Sequence, residues 1–109
     1  MSTTVTPDPK RLELESELKS ILGNNNAYFN APEGTKMHFP CIRFRRTGYN
    51  NRYADDKIYF SKKEYELIAI YKDPDDDLAD RILMHFEQIR HERQYKADGL
   101  CHDVFRLYY

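Results

Sequence analysis

The chain has 109 residues, 32% of them charged and 40% hydrophobic, with a formal net charge of −1. That length holds one domain rather than two independent cores, and a domain of this size buries roughly 60–70% of its unfolded surface, so reliance on partner subunits is an expectation. Near-neutral charge excludes a generally basic nucleic-acid coat, the lack of a long apolar run excludes a membrane-spanning helix, and the opening MSTTVTPDPK lacks a signal-peptide pattern, so a product of the cytoplasm is expected.

Residues 1–7 predict a flexible tail and residues 8–109 a single domain. Asp8 before Pro9 is a helix-start pair, a capping carboxylate followed by a ring already fixed at helical φ. Leu14, Leu18, Ile21 and Leu22 then recur on one face, with Glu13, Glu15, Glu17 and Lys19 opposite, until Gly23 and Asn24 end the helix. Residues 27–29 fit a short strand, followed by a loop through Pro32, Gly34 and Pro40. In residues 41–45, Ile42 and Phe44 alternate with Arg43 and Arg45, a strand with one wet or partner-facing side. Residues 46–57, RTGYNNRYADDK, predict a long loop or a protruding basic hairpin. Residues 58–60 rejoin the sheet, and 64–71 (EYELIAIY) form the strongest strand, apolar on both faces in its second half. Leu78, Ile82, Leu83 and Phe86 give a second helix, and 88–92 and 104–109 predict strands around a loop at 96–102. The order α-β-β-β-α-β-β is an α+β fold, an antiparallel or mixed sheet packed against two helices.

Residues 72–83, KDPDDDLADRIL, pose the main functional question. Asp73, Asp75 and Asp77 match the opening of an EF-hand loop, but Leu78 stands where the turn glycine belongs and Met84 where the bidentate glutamate belongs, so no calcium cage closes. Asp73 can instead cap the second helix with Pro74 in its first turn, while Asp75, Asp76 and Asp77 place negative charge at its positive end. One or two carboxylates would suffice for that. The surplus points to a docking surface.

A basic counterpart lies between positions 43 and 63, where Arg43, Arg45, Arg46, Arg52, Lys57, Lys62 and Lys63 face only Asp55 and Asp56, a net of +5, interleaved with Tyr49, Tyr53 and Tyr59. Arginine with tyrosine suits a nucleic-acid groove, a protein interface or a solvated hairpin alike. Opposite patches in one chain permit head-to-tail self-association, which closes into a ring where the rotation allows. The last strand ends on Tyr108 and Tyr109, a sticky terminus unless the fold or a neighbour covers it. The four histidines and the two cysteines, Cys41 and Cys101, show no metal-ligand spacing, and no phosphate-binding glycine loop occurs. No catalytic residue, metal or cofactor is expected.

Three segments, KMHFPCIRF (36–44), YELIAIYKDPDDDLADRIL (65–83) and QYKADGLCHDVFRLYY (94–109), resemble small tail-completion, or tail-terminator, proteins of tailed bacteriophages. The resemblance covers most of the chain. Gly99 and Cys101 stand where asparagines would be expected. The resemblance implies a virion protein at the tail–neck junction, a homo-oligomeric and commonly hexameric ring. Such a ring ends tail-tube polymerisation, contacts the tail-tube protein and a head-completion or neck protein, and lets double-stranded DNA pass through its lumen. It implies no catalysis. Another neck component such as a head-completion protein, or a nucleic-acid-binding module using the basic hairpin, are the rival readings.

Overall fold

The computed structural model describes the backbone of residues 5–54 and 57–109, with side chains for all of these except 50–61. Of the expected tail, residues 1–4 lie outside the described residues, and Val5 is 82% exposed. Helix α1 (Pro9–Leu22) starts where the Asp8–Pro9 pair predicts: Lys10 N–H donates to Asp8 Oδ1 at 3.0 Å. It ends on Gly23 at φ 76°, a left-handed value that glycine adopts without penalty, with the Gly23 N–H bonded to the Lys19 carbonyl. Leu14, Leu18 and Leu22 form its buried stripe.

The remaining elements are β1 (Ala27–Phe29), β2 (Cys41–Ala54), β3 (Lys57–Tyr71), α2 (Leu78–His85), β4 (Ile89–Ala97) and β5 (Leu100–Tyr108). They form one mixed five-stranded sheet in the order β1-β2-β3-β5-β4, with β1 parallel to β2 and the other pairs antiparallel. This is the α+β fold that the element order predicts.

Two local readings sharpen. Of the loop or protruding hairpin expected after Arg45, the structure has the hairpin: strand β2 runs through the polar stretch to Ala54, paired with β3. The loop expected at 96–102 is a two-residue turn, with Asp98 at φ 54° and Gly99 at φ 74°; both central residues left-handed is the hairpin geometry whose twist matches the flanking strands. The final strand, β5, is covered by the fold on both edges, since it lies between β3 and β4.

Alternation along the strands assigns the faces. Ile42 and Phe44 of β2, Tyr65, Leu67, Ala69 and Tyr71 of β3, and Phe105 and Leu107 of β5 join Leu14, Leu18, Leu78 and Ile82 of the helices in one buried cluster. Among the described residues, both helices therefore cover this face alone. The opposite face carries Arg43, Arg45, Glu64, Glu66, Ile68 and Arg106, although Cys41, Ile70 and Val104 on it are buried as well.

Candidate assembly surfaces

The β2–β3 hairpin outruns the sheet. Strand β1 pairs with β2 only over residues 42–44, and β5 pairs with β3 only over 64–71. From Tyr49↔Lys63 to Ala54↔Lys57 the two strands pair only with each other, forming an arm. The arm accounts for the elongated outline, 49 × 38 × 22 Å, and for a radius of gyration of 15.4 Å, against about 13 Å for a compact chain of this length. A two-stranded ribbon is marginally stable in water by itself, which makes the arm a segment suited to being covered. Tyr49, at its base, is 63% exposed. Arg52 and Tyr53 contribute backbone to the arm, opposite Phe60 and Ile58; their side chains lie outside the described residues, as do Asp55 and Asp56 entirely.

The arginines that look like one patch in the sequence separate in space. Arg46 falls on the helix-covered face with Phe44 and Ile42. Its Nη2 donates to Asp8 Oδ2 at 3.1 Å and to the Tyr65 hydroxyl at 3.4 Å, and its guanidinium lies over the Tyr65 ring. Lys63 Nζ reaches the same Asp8 carboxylate at 2.5 Å, and its hydrogen bond, more than any other contact, holds the Asp8 carboxyl below the usual carboxylate range. Arg46 thus ties the α1 cap to the sheet and is not a free surface cation. Arg45, on the open face, donates from Nε to Glu66 Oε1 at 3.0 Å. Arg43, also on the open face and half-buried, makes no side-chain hydrogen bond or ion pair among the described residues.

The aspartates also divide, and the helix start moves. Asp73 and Pro74 do not open α2: Asp73 Oδ1 accepts from Asp75 N–H at 2.9 Å, and its carbonyl from Asp76 N–H at 3.0 Å, closing a tight turn ahead of the helix. Asp76 Oδ1 then accepts from Leu78 N–H at 2.9 Å, and Asp77 occupies the cap position without a side-chain cap bond. Arg81 pairs with Asp77 at 2.9 Å and with Asp76 at 3.8 Å, and also donates to the Ile21 carbonyl of α1. Asp73, Asp75 and Asp80 form no ion pair among the described residues.

The terminal tyrosines face opposite ways. Tyr109 is taken up by the fold: its hydroxyl donates to Glu17, its ring meets Phe86 edge-on at 6.1 Å, and Lys10 Nζ sits 5.4 Å from its centroid. Burial works to raise the Glu17 carboxyl, but the hydrogen bonds from Tyr109 and His85 outweigh it and hold the group low. Tyr108 remains on the open face, half-buried, opposite Glu64.

Two constellations were not visible in the sequence. On the open face, Arg106 bridges Glu64 of β3 and Glu92 of β4, while Arg90 joins Glu92 at 3.2 Å, an ionic ladder across three strands. On the covered face, Asp103, 1% exposed, accepts from the Tyr71 hydroxyl at 2.5 Å and from His91 Nε2 at 2.8 Å, and Gln94 Nε2 donates to the Tyr71 oxygen at 3.2 Å. Burial, and next the bond to Asp103, push the Tyr71 hydroxyl up to about 12. The two thiols are free and buried, and burial raises Cys41 to about 11. Among the described residues no three potential ligands converge on a metal position, and no helix is long and apolar enough to cross a membrane. No family model matches the chain, and no curated protein matches it as a relative.

Proposed function

We propose that this chain is a structural subunit of a bacteriophage tail. In this reading it assembles as a ring, commonly hexameric, at the head-proximal end, where it ends growth of the tail tube and joins tail to neck. It works by fitting against copies of itself, the tail-tube protein and a head-completion or neck protein, with double-stranded DNA passing through the lumen, and it catalyses nothing. The observation that carries the proposal is the arm: six residue pairs of ribbon projecting from a small body, with no third strand paired beside them among the described residues. Contact with a partner would supply the burial that a lone ribbon lacks. The resemblance of segments 36–44, 65–83 and 94–109 to tail-terminator proteins supports the same reading.

The nucleic-acid alternative has less support, because Arg45 and Arg46 are engaged by Glu66 and Asp8 within the chain. Negative-stain imaging and native mass spectrometry of the purified protein test the proposal, together with binding to assembled tail tubes. Rings of uniform subunit number that bind one tube end are expected. A chain that stays monomeric at every concentration and ignores tube ends would overturn the reading.

A further inference from the structure

We infer that the cavity beside Arg43 receives the acidic turn of a second copy of this chain, which fixes the head-to-tail contact of the ring; the inference rests on the assembly reading above. The cavity opens on the uncovered sheet face, between the segment after β1 and the middle of β2 and β3. Its volume of ≈ 440 Å³ falls within the roughly 300–1,000 Å³ of pockets that seat a ligand. It is lined by Asn30 and Ala31 after β1, by Arg43, Phe44 and Arg45 of β2, and by Glu66 and Ile68 of β3. Arg45 is already neutralised by Glu66, so the cavity presents one half-buried guanidinium without a carboxylate, above an apolar side chain. That single charge suits one or two carboxylates on a compact segment, which a cavity of this size can seat, better than an extended polyphosphate backbone.

The same chain carries a matching occupant. Asp73 and Asp75 stand at an exposed turn with no ion pair among the described residues. The turn is pre-set by the bonds from Asp75 N–H and Asp76 N–H to Asp73, so little conformational freedom is lost on docking. It cannot serve its own cavity. Arg43 lies opposite Ile68 in the β2–β3 register, β3 runs three residues beyond Ile68 to Tyr71, about 10 Å, and the chain then turns at Asp73 without an ion pair to Arg43. Pocket and plug sit at different places on one molecule, so the contact is heterologous and propagates from copy to copy until the rotation closes it.

Charge variants mixed in pairs test this. Arg43→Glu loses the pocket but keeps the turn, and Asp75→Asn with Asp73→Asn loses the turn but keeps the pocket. Each variant alone is expected to weaken assembly at least about tenfold by sedimentation velocity at moderate salt. Mixed in equal amounts they should form a heterodimer that grows no further, since one intact pocket meets one intact turn and both outer ends are dead. Arg43→Ala, with circular dichroism on every variant, separates a lost contact from a lost fold. Rings that persist in both variants, or a mixture that yields no heterodimer, would overturn the inference while leaving the assembly reading intact. A wild-type chain that never self-associates would overturn both. Salt-sensitive binding of duplex DNA abolished by Arg43→Glu would assign the cavity to phosphate and overturn the turn as its occupant.

Discussion

The helix-covered face and the open face of the sheet hold their charged residues in different ways. On the covered face the charges are paired inside the chain: buried Asp103 by Tyr71 and His91, and half-buried Arg46 by Asp8 and Tyr65, although Arg46 Nε has no partner. On the open face Arg45–Glu66 and the Arg106 ladder are pairings near water, and Arg43 is left without a carboxylate. A polar group removed from solvent must be satisfied within the fold or it destabilises the fold. A partly exposed one can wait for a partner. The covered face therefore specifies the monomer, and the open face, with the arm and the acidic turn, is where an assembly would be specified.

Cutting into each face separates these roles. Phe105→Ala, at a fully buried site, should cost about 3–5 kcal/mol in urea unfolding, whereas Ile68→Ala on the open face should cost clearly less. Equal losses would mean that the open face is already as sealed as the other. Asp103→Ala should cost about 1–3 kcal/mol, because it strands the Tyr71 hydroxyl and the His91 imidazole together. A neutral result would show that the network contributes nothing to the fold.

Titration probes both faces without cutting them, through Tyr71 on the covered face and Cys41 on the open one. The folded state raises Tyr71 from 10.0 to about 12 and Cys41 from 9.0 to about 11, so it favours their protonated forms. The stability they contribute is complete below the unfolded values and is lost as pH rises through the folded ones: from 9 to 11 for the thiol and from 10 to 12 for the phenol. Melting temperature should fall across that window, and Tyr71→Phe should flatten its upper half. The flattening is partial, since Tyr109 is raised in the same direction by burial and by its bond to Glu17. An unchanged alkaline slope in Tyr71→Phe would show that the hydroxyl does not titrate with unfolding.

What the sequence discloses follows the same division. The α1 boundaries, the buried stripe and the central strand were legible because caps and apolar periodicity are local signals: Asp8, Pro9 and Gly23 for the helix, the alternation of Tyr65, Leu67 and Ala69 for β3. Strand β2 beyond Arg45 was not, because RTGYNNRYA has no apolar alternation and is extended only through its pairing with β3. Helix α2 begins after Asp77 rather than at Asp73, because the Asp73 side chain closes a turn instead of capping the helix. Asp98-Gly99 is a hairpin signal in the sequence itself, and the turn it makes is shorter than the loop expected at 96–102. Of the basic patch, Arg46 was misgrouped, since neighbours in a strand point to opposite faces. The Asp103 network draws on three strands and 32 positions of separation between Tyr71 and Asp103, and no local pattern announces it.

The smallest effect is the most discriminating. Arg45→Ala breaks an ion pair whose arginine is 61% exposed, so it should change monomer stability by at most about 1 kcal/mol, less as salt rises. The same substitution frees the Glu66 carboxylate beside Arg43. If the cavity recruits an acidic segment through Arg43 alone, Glu66 then competes for that guanidinium and assembly should weaken although the fold does not. A change in stability without a change in assembly would place Arg45 among the residues that hold the monomer together. The reverse separates the two faces with one residue, because a group nearly irrelevant to folding would then control whether copies meet.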